Sequence, residues 1–363
     1  MIKLDKMPCR TPLYGTFELT LRCNLHCKMC LFRHADCENA VLRQNELSAR
    51  QWIDMAAQVA NAGTFKLLLT GGEPMLRLDF CEIYEGIYKQ GFLIELYTNG
   101  TLVTPAIMET LRRYPPHRIG VTLYGASAES YEAVCGNGHA FEQALEGIRQ
   151  LHTLPSLMNF RMSVIRDNYH DVKAVEELVN REFGRKYTVT QPNILFAAVR
   201  GGCADVASCR ISPRENLMLI NRRTLDYVKS VVGEENYREE NVRIERSALS
   251  REKEDCRSLE KYSLIGCNAG MDSYTISWDG KLLGCQLLGI FQTDALKDGF
   301  AKAWEKYPYE VKMPPLNDKC ASCSMIEECQ TCPAARLAET GDLGGLPEYV
   351  CEQTNILYDM LVD

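Results

Sequence analysis

The chain has 363 residues, of which 46% are hydrophobic and 25% are charged, and its formal net charge is −7. This composition is typical of a globular protein with one large and one smaller domain, and the acidic balance argues against general nucleic-acid binding. The sequence contains no apolar run of about 18 residues and no signal-peptide core, so we expect a cytoplasmic protein. In the cytoplasm its 17 cysteines are expected to bind metal rather than to form disulfides.

Residues 1–15 are predicted to be an irregular lead-in, because Pro8 and Pro12 fall within a stretch that shows no periodicity. Cys9 stands alone here and is interpreted as an ordinary thiol. Fifteen residues are too few for a separate domain that recognises a peptide.

Residues 16–200 alternate between strand and helix signals. The expected strands cover residues 17–22, 65–70, 92–97, 118–124, 160–165 and 187–195, and helices are expected at 48–63, 80–87, from 104 onward, at 141–151 and at 171–183. Six β–α steps with short apolar strands predict an α/β fold with a parallel sheet wound right-handedly.

Three cysteines follow the first predicted strand: Cys23, Cys27 and Cys30. In parallel α/β proteins, active sites are built at this carboxyl end of the strands. Three thiolates are too few for a closed structural zinc site, but they suit an iron–sulfur cluster that leaves one iron open. A chance spacing, or a zinc site completed by His26 or His34, is the alternative.

Gly71, Gly72 and Glu73, followed by Pro74, end the second predicted strand. Paired glycines allow a backbone to approach a ligand closely, and a carboxylate beside them can accept hydrogen bonds from an ammonium group. A plain turn between strand and helix is the alternative interpretation.

The spacing CxxxCxxC, with the GGEP stretch behind it, resembles the radical SAM superfamily. The resemblance implies a partial (β/α)6 TIM-like barrel, open on one side to admit a large substrate. It also implies that Cys23, Cys27 and Cys30 hold a 4Fe–4S cluster whose free iron binds S-adenosylmethionine. Reductive cleavage of that cofactor then produces a 5′-deoxyadenosyl radical.

The same resemblance implies further cofactor contacts. Gly71, Gly72 and Glu73 would contact the methionyl amine of the cofactor, and the backbone at Met29 would touch its adenine. Thr122 on strand four is a candidate partner of the cofactor's ribose or carboxylate. Arg161, with Arg166 as a second possibility, is a candidate partner of that carboxylate. The Thr98–Asn99–Gly100 stretch is interpreted first as a turn.

Residues 201–260 are interpreted as a bridging region. Cys203 and Cys209 lie in a polar loop, and a helix is expected from Ser212 to about Val228. The charged stretch at 233–257 is interpreted as solvated surface, with a docking surface for a charged peptide as the alternative.

Residues 261–363 carry a second group of cysteines. A hairpin is predicted at 274–283, with Asp279 and Gly280 at its turn. Seven cysteines accompany it: Cys267, Cys285, Cys320, Cys323, Cys329, Cys332 and Cys351.

This cysteine pattern resembles the SPASM extension of radical SAM enzymes, with Cys329 and Cys332 one residue closer together than usual. The resemblance implies two auxiliary 4Fe–4S clusters with interleaved ligands. Cys267, Cys285 and Cys332 would hold the first cluster. Cys320, Cys323, Cys329 and Cys351 would hold the second. Cys256 is a candidate fourth ligand of the first cluster, whose remaining iron is otherwise open or bound to substrate. Zinc is the alternative metal for this region.

The resemblance implies an enzyme that matures a ribosomally made peptide. Thioether or carbon–carbon crosslinking is favoured, because auxiliary clusters can accept the electron left on a product radical. Epimerisation stays open, since it needs a thiol donor and five cysteines remain unassigned: Cys37, Cys81, Cys135, Cys203 and Cys209. Sulfatase-maturase-like oxidation, small-molecule (amino-sugar or alcohol) dehydrogenation and a non-catalytic iron–sulfur or zinc scaffold stay open as well.

The expected partners follow from the same reasoning. They are a precursor peptide, which a separate recognition protein could present, and an electron donor of the flavodoxin or ferredoxin type. Neither a nucleic acid nor a membrane is expected as a partner.

Overall fold

The computed structural model describes residues 10–35, 38–185, 187–191, 205–233, 244–245, 264–326, 329 and 331–362. Four cysteines named above, Cys9, Cys37, Cys203 and Cys256, lie outside these residues, as does most of the charged stretch. The strands are β1 (Tyr14–Thr20), β2 (Lys66–Gly71), β3 (Leu93–Thr98), β4 (Arg118–Thr122), β5 (Leu157–Arg161), β6 (Val189–Thr190), β7 (Ile244–Glu245), β8 (Ser273–Ile276), β9 (Lys281–Leu283), β10 (Gln292–Asp294) and β11 (Leu361–Val362).

Helices alternate with the first strands and dominate the carboxyl-terminal part. They are α1 (Asn39–Asn45), α2 (Ala49–Asn61), α3 (Phe80–Tyr88), α4 (Pro105–Arg113), α5 (Ala128–Cys135), α6 (Ala140–His152), α7 (Val172–Phe183), α8 (Val206–Cys209), α9 (Pro213–Val232), α10 (Ala295–Asp298), α11 (Phe300–Glu310), α12 (Asp318–Ala321), α13 (Pro333–Thr340) and α14 (Glu348–Met360). Short 3-10 turns occupy Pro74–Leu76 and Arg166–Asp171.

Local signals account for several helix starts. Ser48 caps α2 through a capping box with Gln51, and Thr104 caps α4 ahead of Pro105. Ser212 caps α9 in the same way as Ser48 caps α2. These three helices begin where the sequence predicted.

The described strands β1 to β6 and β8 to β10 form one sheet in the order β10-β9-β8-β1-β2-β3-β4-β5-β6. Strands β1 to β6 are parallel to one another, each beside its predecessor in the chain. The prediction of an α/β partial barrel is confirmed.

The main differences from the sequence prediction concern β5 and α5; helix α1 was not predicted either, and β1 and β4 end earlier than expected. Strand β5 pairs over Leu157–Arg161, whereas the apolar pattern had pointed to 160–165. Met162 and Ile165 are fully buried beyond the paired strand, which explains why hydrophobicity alone misplaced it. Helix α5 was not predicted, although Ser127 caps it and Gly136 ends it in the left-handed conformation.

The predicted hairpin extends the barrel sheet. Strand β8 pairs in parallel with β1, opposite Tyr14–Phe17, and β9 returns antiparallel to β8. Tyr274 on β8 packs against Phe300 and Trp304 of α11, with ring centroids 4.8 Å and 5.8 Å apart. The hairpin is therefore joined to the first barrel strand by backbone hydrogen bonds, and its Tyr274 packs α11 against it.

The bridging helix α9 packs on the last helix, α14. Leu217 and Leu225 of α9 share a buried apolar cluster with Leu357 and Met360 of α14. Asn216 also donates a hydrogen bond from its side chain to Gln353, over 2.8 Å. This packing holds the helix that carries Cys351. Among the residues that the structure describes, no helix is both long and apolar enough to cross a membrane.

Candidate active site

A cavity of about 270 Å³ opens at the carboxyl ends of the parallel strands. Cys23, Cys27 and Cys30 all line it. The residues that line it from β2 to β5 and the turns beyond them include Thr70, Gly71, Gly72, Tyr97, Thr98, Asn99, Thr122, Tyr124, Arg161 and Ser163. The structure thus brings the three cysteines, the glycine pair and the ends of four strands into one space.

The cysteine loop is held by backbone hydrogen bonds to the end of α5. The N–H of His26 donates to the carbonyl of Cys135 over 3.1 Å, and the N–H of Lys28 donates to that of Val134 over 3.0 Å. These two bonds fix the stretch between the first and third cysteines. The unpredicted helix α5 is therefore the support of the cysteine loop.

Burial dominates the electrostatics of the first and third thiols. It is the largest cause that raises the pKa of Cys23, and it raises the pKa of Cys30 to about 11. A hydrogen bond with the side chain of Cys135 is the largest cause that raises the pKa of Cys27. Without a metal these thiols are protonated, and the positive charge of bound iron would favour the thiolates that ligate it.

The glycine pair is required by the neighbouring backbone. Gly71 has φ +131°, and a Cβ there would overlap the carbonyl oxygen of Thr20. A Cβ on Gly72 would overlap the carbonyl oxygen of Arg22, and the N–H of Gly72 donates to Thr20 over 2.7 Å. Only glycine lets the end of β2 approach the chain that leads into the cysteine loop so closely. The sequence had offered a ligand contact, or a plain turn, as the reason for these glycines.

The carboxylate of Glu73 does not line the cavity. It is fully buried and accepts hydrogen bonds from the backbone N–H of Met75, the hydroxyl of Thr98 and the backbone N–H of Asn99, over 3.0 Å, 2.9 Å and 2.8 Å. Burial raises the pKa of Glu73 to about 7. This surrounding differs from the ammonium contact that the resemblance implied for its side chain, and the cofactor role of Glu73 stays a prediction.

The other predicted cofactor residues have different surroundings. Met29, Thr122 and Arg161 line the cavity, and the guanidinium of Arg161 lies 4.7 Å from the ring centroid of Tyr97. Arg166 instead donates to the carbonyl of Arg210 over 3.0 Å. The structure therefore favours Arg161 over Arg166 as the candidate partner of a cofactor carboxylate.

One of the two histidines considered as a zinc ligand, His34, has its own partners in the loop. The ring nitrogens of His34 lie 3.1 Å from the carbonyl oxygen of Phe32 and 3.0 Å from the side-chain oxygen of Asn39. These contacts tie His34 to its own loop and to the start of α1.

Sequence reasoning missed the ion cluster that fixes the exit from β1. Arg22 forms a two-point ion pair with Glu46, over 2.8 Å and 2.9 Å. The guanidinium of Arg77 lies 3.4 Å from the same carboxylate and donates to the carbonyl oxygens of Leu19 and Leu47. In the sequence, the signal for this cluster was that Arg22 and Arg77 flank the cysteine motif and the GGEP stretch. Their pairing with Glu46 depends on the fold.

Three of the carboxyl-terminal cysteines form one set. The thiols of Cys267 and Cys332 add to burial in raising the pKa of Cys285 to about 11. Cys285 and Cys332 also pack against one apolar cluster built around Ile265 and Leu288. These are the three cysteines that the resemblance assigned to the first auxiliary cluster.

The other four cysteines form a second set. Burial is the largest cause that raises the pKa of Cys351, and the thiols of Cys329, Cys320 and Cys323 raise it further. The assignment of these seven cysteines as ligands of two clusters stays a prediction. Within the described residues, no three His, Cys, Asp or Glu side chains are gathered closely enough to hold a metal ion.

Comparisons with known proteins agree with this geometry. Residues 17–179 match the sequence model of the radical SAM superfamily, so this part of the chain is a radical SAM domain. The chain is 27% identical over 342 residues to an AdoMet-dependent heme synthase of Methanosarcina barkeri, a match that covers 91% of this chain and 94% of the relative.

The names of two further similar proteins mention a bacteriocin or a precursor peptide. The antilisterial bacteriocin subtilosin biosynthesis protein AlbA of Bacillus subtilis is 28% identical over 176 residues, covering 48% of this chain and 38% of AlbA. The crystal structure of Streptococcus suis SuiB bound to the precursor peptide SuiA has the same fold. Its TM-score is 0.66 at 15% identity, and the match covers 94% of this chain and 76% of SuiB.

Proposed function

We propose that this radical SAM enzyme oxidatively modifies a ribosomally made peptide by forming a thioether or carbon–carbon crosslink. The observation that supports the proposal is that the thiols of Cys267 and Cys332 raise the pKa of Cys285, and three further thiols raise that of Cys351, in a chain that also has a radical SAM domain. Two such sets suit two auxiliary 4Fe–4S clusters, and crosslinking needs an acceptor for one electron.

The cofactors supply the radical chemistry. When bound, the first cluster and S-adenosylmethionine would supply a 5′-deoxyadenosyl radical, and an auxiliary cluster would supply an acceptor for one electron.

The protein's own groups bind and orient these cofactors. Cys23, Cys27 and Cys30 are proposed to hold the first cluster. Cys267, Cys285 and Cys332 are proposed to hold one auxiliary cluster, and Cys320, Cys323, Cys329 and Cys351 the other. Arg161 is proposed to hold the carboxylate of S-adenosylmethionine through a bidentate ion pair, since its guanidinium faces the cavity beside Tyr97.

A second function is favoured by one specific observation. The heme synthase of M. barkeri matches over 91% of this chain, whereas AlbA matches over 48%. The second candidate is therefore a step of heme synthesis on an iron porphyrin. It would use the same radical and the same electron acceptor.

The first experiment counts iron and follows cofactor cleavage in an anaerobic chamber. The parent, a Cys23/Cys27/Cys30→Ala variant and a Cys81→Ala control are reconstituted and reduced with S-adenosylmethionine. Cys81 is a matched control, because it lies on α3 outside all three sets. We expect about twelve irons in the parent and the control, and about eight in the triple variant. Only the parent and the control should release 5′-deoxyadenosine.

The second experiment separates the two substrates. The region beside the gene is searched for a short open reading frame that is rich in Cys or aromatic residues, and the parent is incubated with the peptide it encodes and, in parallel, with iron coproporphyrin III. Loss of two hydrogens from the peptide supports crosslinking. A change in the mass of the porphyrin that depends on S-adenosylmethionine supports the second candidate. Zinc in place of iron, or no deoxyadenosine from an iron-loaded parent, contradicts both.

A further inference from the structure

A buried hydroxyl in the carboxyl-terminal part of the chain has no role in the chemistry described so far. Tyr307 lies on the buried face of α11, and its exposed fraction is 0%. Among the residues that the structure describes, its hydroxyl has no hydrogen-bond partner. Leaving a buried hydroxyl without a partner costs free energy, so such groups are rare in folded proteins. The hydroxyl of Tyr307 is therefore a candidate for a contact with a bound group.

The ring of Tyr307 lies against the backbone that leads into Cys285. Gly284 directly precedes Cys285, and a Cβ added to Gly284 would overlap the hydroxyl oxygen of Tyr307. A Cβ added to Gly270 would lie 2.7 Å from Cε1 of the same ring. The two glycines thus form a slot in which the ring approaches the backbone more closely than any side chain would allow. This slot fixes the hydroxyl beside the backbone of a proposed cluster ligand.

Arg10 joins the parts of the chain that form this slot. Its guanidinium donates from Nε to the carbonyl of Gly270 over 2.6 Å, and from Nη1 to the carbonyl of Trp304, one turn before Tyr307, over 3.0 Å. The same guanidinium lies 4.0 Å from the centroid of the Trp304 ring. Its Nη2 is buried and, within the described residues, has no partner. A positive charge and an unused hydroxyl therefore lie together in this region, where they favour a negatively charged group.

The hydroxyl of Tyr307 lies within electrostatic reach of two proposed ligands of the first auxiliary cluster. Burial raises the pKa of Tyr307 to about 12, and the thiols of Cys285 and Cys267 act in the same direction. A backbone contact with Gly284 and the charge of Arg10 act in the opposite direction. A backbone N–H that approaches the phenol oxygen uses one of its lone pairs, so the O–H proton stays available. An O–H donor thus lies beside sulfur atoms that become stronger acceptors when they lose their protons.

We propose that Tyr307 is a positioning residue that donates a hydrogen bond to the sulfur of Cys285 when this thiolate binds iron. A reduced iron–sulfur cluster is more negative than an oxidised one, so a donor to its thiolate stabilises the reduced state more. The bond would therefore raise the potential of the first auxiliary cluster and make it a better electron acceptor. The inference rests on the cluster proposed at Cys267, Cys285 and Cys332, and it holds for a peptide and for a porphyrin substrate alike.

The test measures the potential and the exchangeable protons of this cluster. The background protein carries alanine at the first three cysteines, so that the first cluster gives no signal, and a further Cys285→Ala protein identifies the signal of the first auxiliary cluster by its change. Tyr307→Phe removes the hydroxyl and keeps the ring. Tyr309→Phe is the matched control, because it makes the same change on α11 at a side chain that is 65% exposed. Replacement of Tyr307 by 3-fluorotyrosine keeps the hydroxyl and makes it a stronger donor.

The three proteins should give different results. In Tyr307→Phe, the equilibrium constant for one-electron reduction should fall about tenfold, which corresponds to a fall of about 59 mV in the midpoint potential. A redox titration followed by electron paramagnetic resonance measures this. Electron–nuclear double resonance in water and in deuterium oxide should show an exchangeable proton in the background protein that is absent from Tyr307→Phe. The 3-fluorotyrosine protein should have a higher potential, and Tyr309→Phe should match the background protein.

Iron content separates a failure of this inference from a failure of the proposed function. Clearly fewer than about eight irons in the background protein would contradict the two auxiliary clusters, and the inference would fail with them. With eight irons present, an unchanged potential or a retained proton signal in Tyr307→Phe would overturn the inference alone, as would an equal shift in Tyr309→Phe. If Tyr307→Phe loses iron, the 3-fluorotyrosine protein decides: a higher potential supports the inference, and an equal or lower one contradicts it.

Discussion

The carboxylate of Glu73 accepts a hydrogen bond from the backbone N–H of Asn99, with Oε2 and N 2.8 Å apart. This bond joins the turn after β2 to the turn after β3. The side-chain amide of Asn99 lies 2.9 Å from the side-chain oxygen of Asn24 and 3.8 Å from the sulfur of Cys23. Glu73 is thereby linked to the cysteine loop through one residue.

The first prediction concerns the pH dependence of stability. Burial raises the pKa of Glu73 from its ordinary 4.5 to about 7. Between these values only the folded chain holds the proton, so the free energy of unfolding falls as pH rises through this window. The fall is at most about 3 kcal/mol, and it is complete above the folded pKa.

Urea unfolding from pH 4.5 to 8 under anaerobic conditions checks this. The difference in unfolding free energy between the parent and Glu73→Gln should decline with rising pH. The contributions of the other carboxylates are the same in both proteins and cancel in that difference. Glu109→Gln, on the exposed side of α4, is the control and should show a constant difference. A constant difference for Glu73→Gln as well would contradict the raised pKa.

The second prediction concerns the potential of the first cluster. The amide of Asn99 points toward the sulfur of Cys23, and hydrogen bonds to cluster sulfurs stabilise the more negative reduced state. Asn99→Ala should lower the midpoint potential by on the order of tens of millivolts, where 59 mV corresponds to a tenfold change for one electron. A redox titration followed by electron paramagnetic resonance measures it. Asn45→Ala, at an exposed position on α1, should leave the potential unchanged, and an equal shift in both variants would refute the explanation.

The third prediction concerns binding of the cofactor. Arg161 lines the cavity with its guanidinium over the ring of Tyr97. This contact limits the conformational freedom of the Arg161 side chain before the cofactor binds. Arg161→Ala should raise the dissociation constant of S-adenosylmethionine at least about tenfold, since a charge-assisted hydrogen bond contributes about 1.5 kcal/mol or more. Calorimetry on the oxidised, iron-loaded protein measures this without cleavage. The exposed Arg112→Ala on α4 is the control, and unaltered affinity in Arg161→Ala would exclude the contact.

The fourth prediction distinguishes the proposed cluster ligand Cys27 from the neighbouring thiol of Cys135. Cys135 is fully buried and hydrogen-bonded to Cys27, so among the described residues it adds a fourth thiol beside Cys23, Cys27 and Cys30. Three of them have the family spacing, and Cys135 lies on the supporting helix α5. Cys135→Ala should keep about twelve irons, whereas Cys27→Ala should keep about eight. Loss of about four irons from Cys135→Ala would show that it is a ligand and would revise the assignment.

Local patterns in the sequence were sufficient to predict several helix starts, the fold class and the first cysteine site. The caps at Ser48, Thr104 and Ser212 act within one turn of helix, so they predict helix starts without knowledge of the fold. The alternation of short apolar strands with amphipathic helices determined the α/β class. The spacing of Cys23, Cys27 and Cys30 indicated one shared site, because a short loop keeps its residues together.

The tertiary structure decided what depends on contacts between distant segments. It turned the carboxylate of Glu73 toward Asn99, placed Cys135 against Cys27, and paired β8 with β1 so that Gln286 reaches Glu18. These contacts follow from sheet register and helix packing, which sum many weak interactions over the whole chain. The sequence by itself therefore determined the kind of chemistry, and only the fold decided which buried groups surround it.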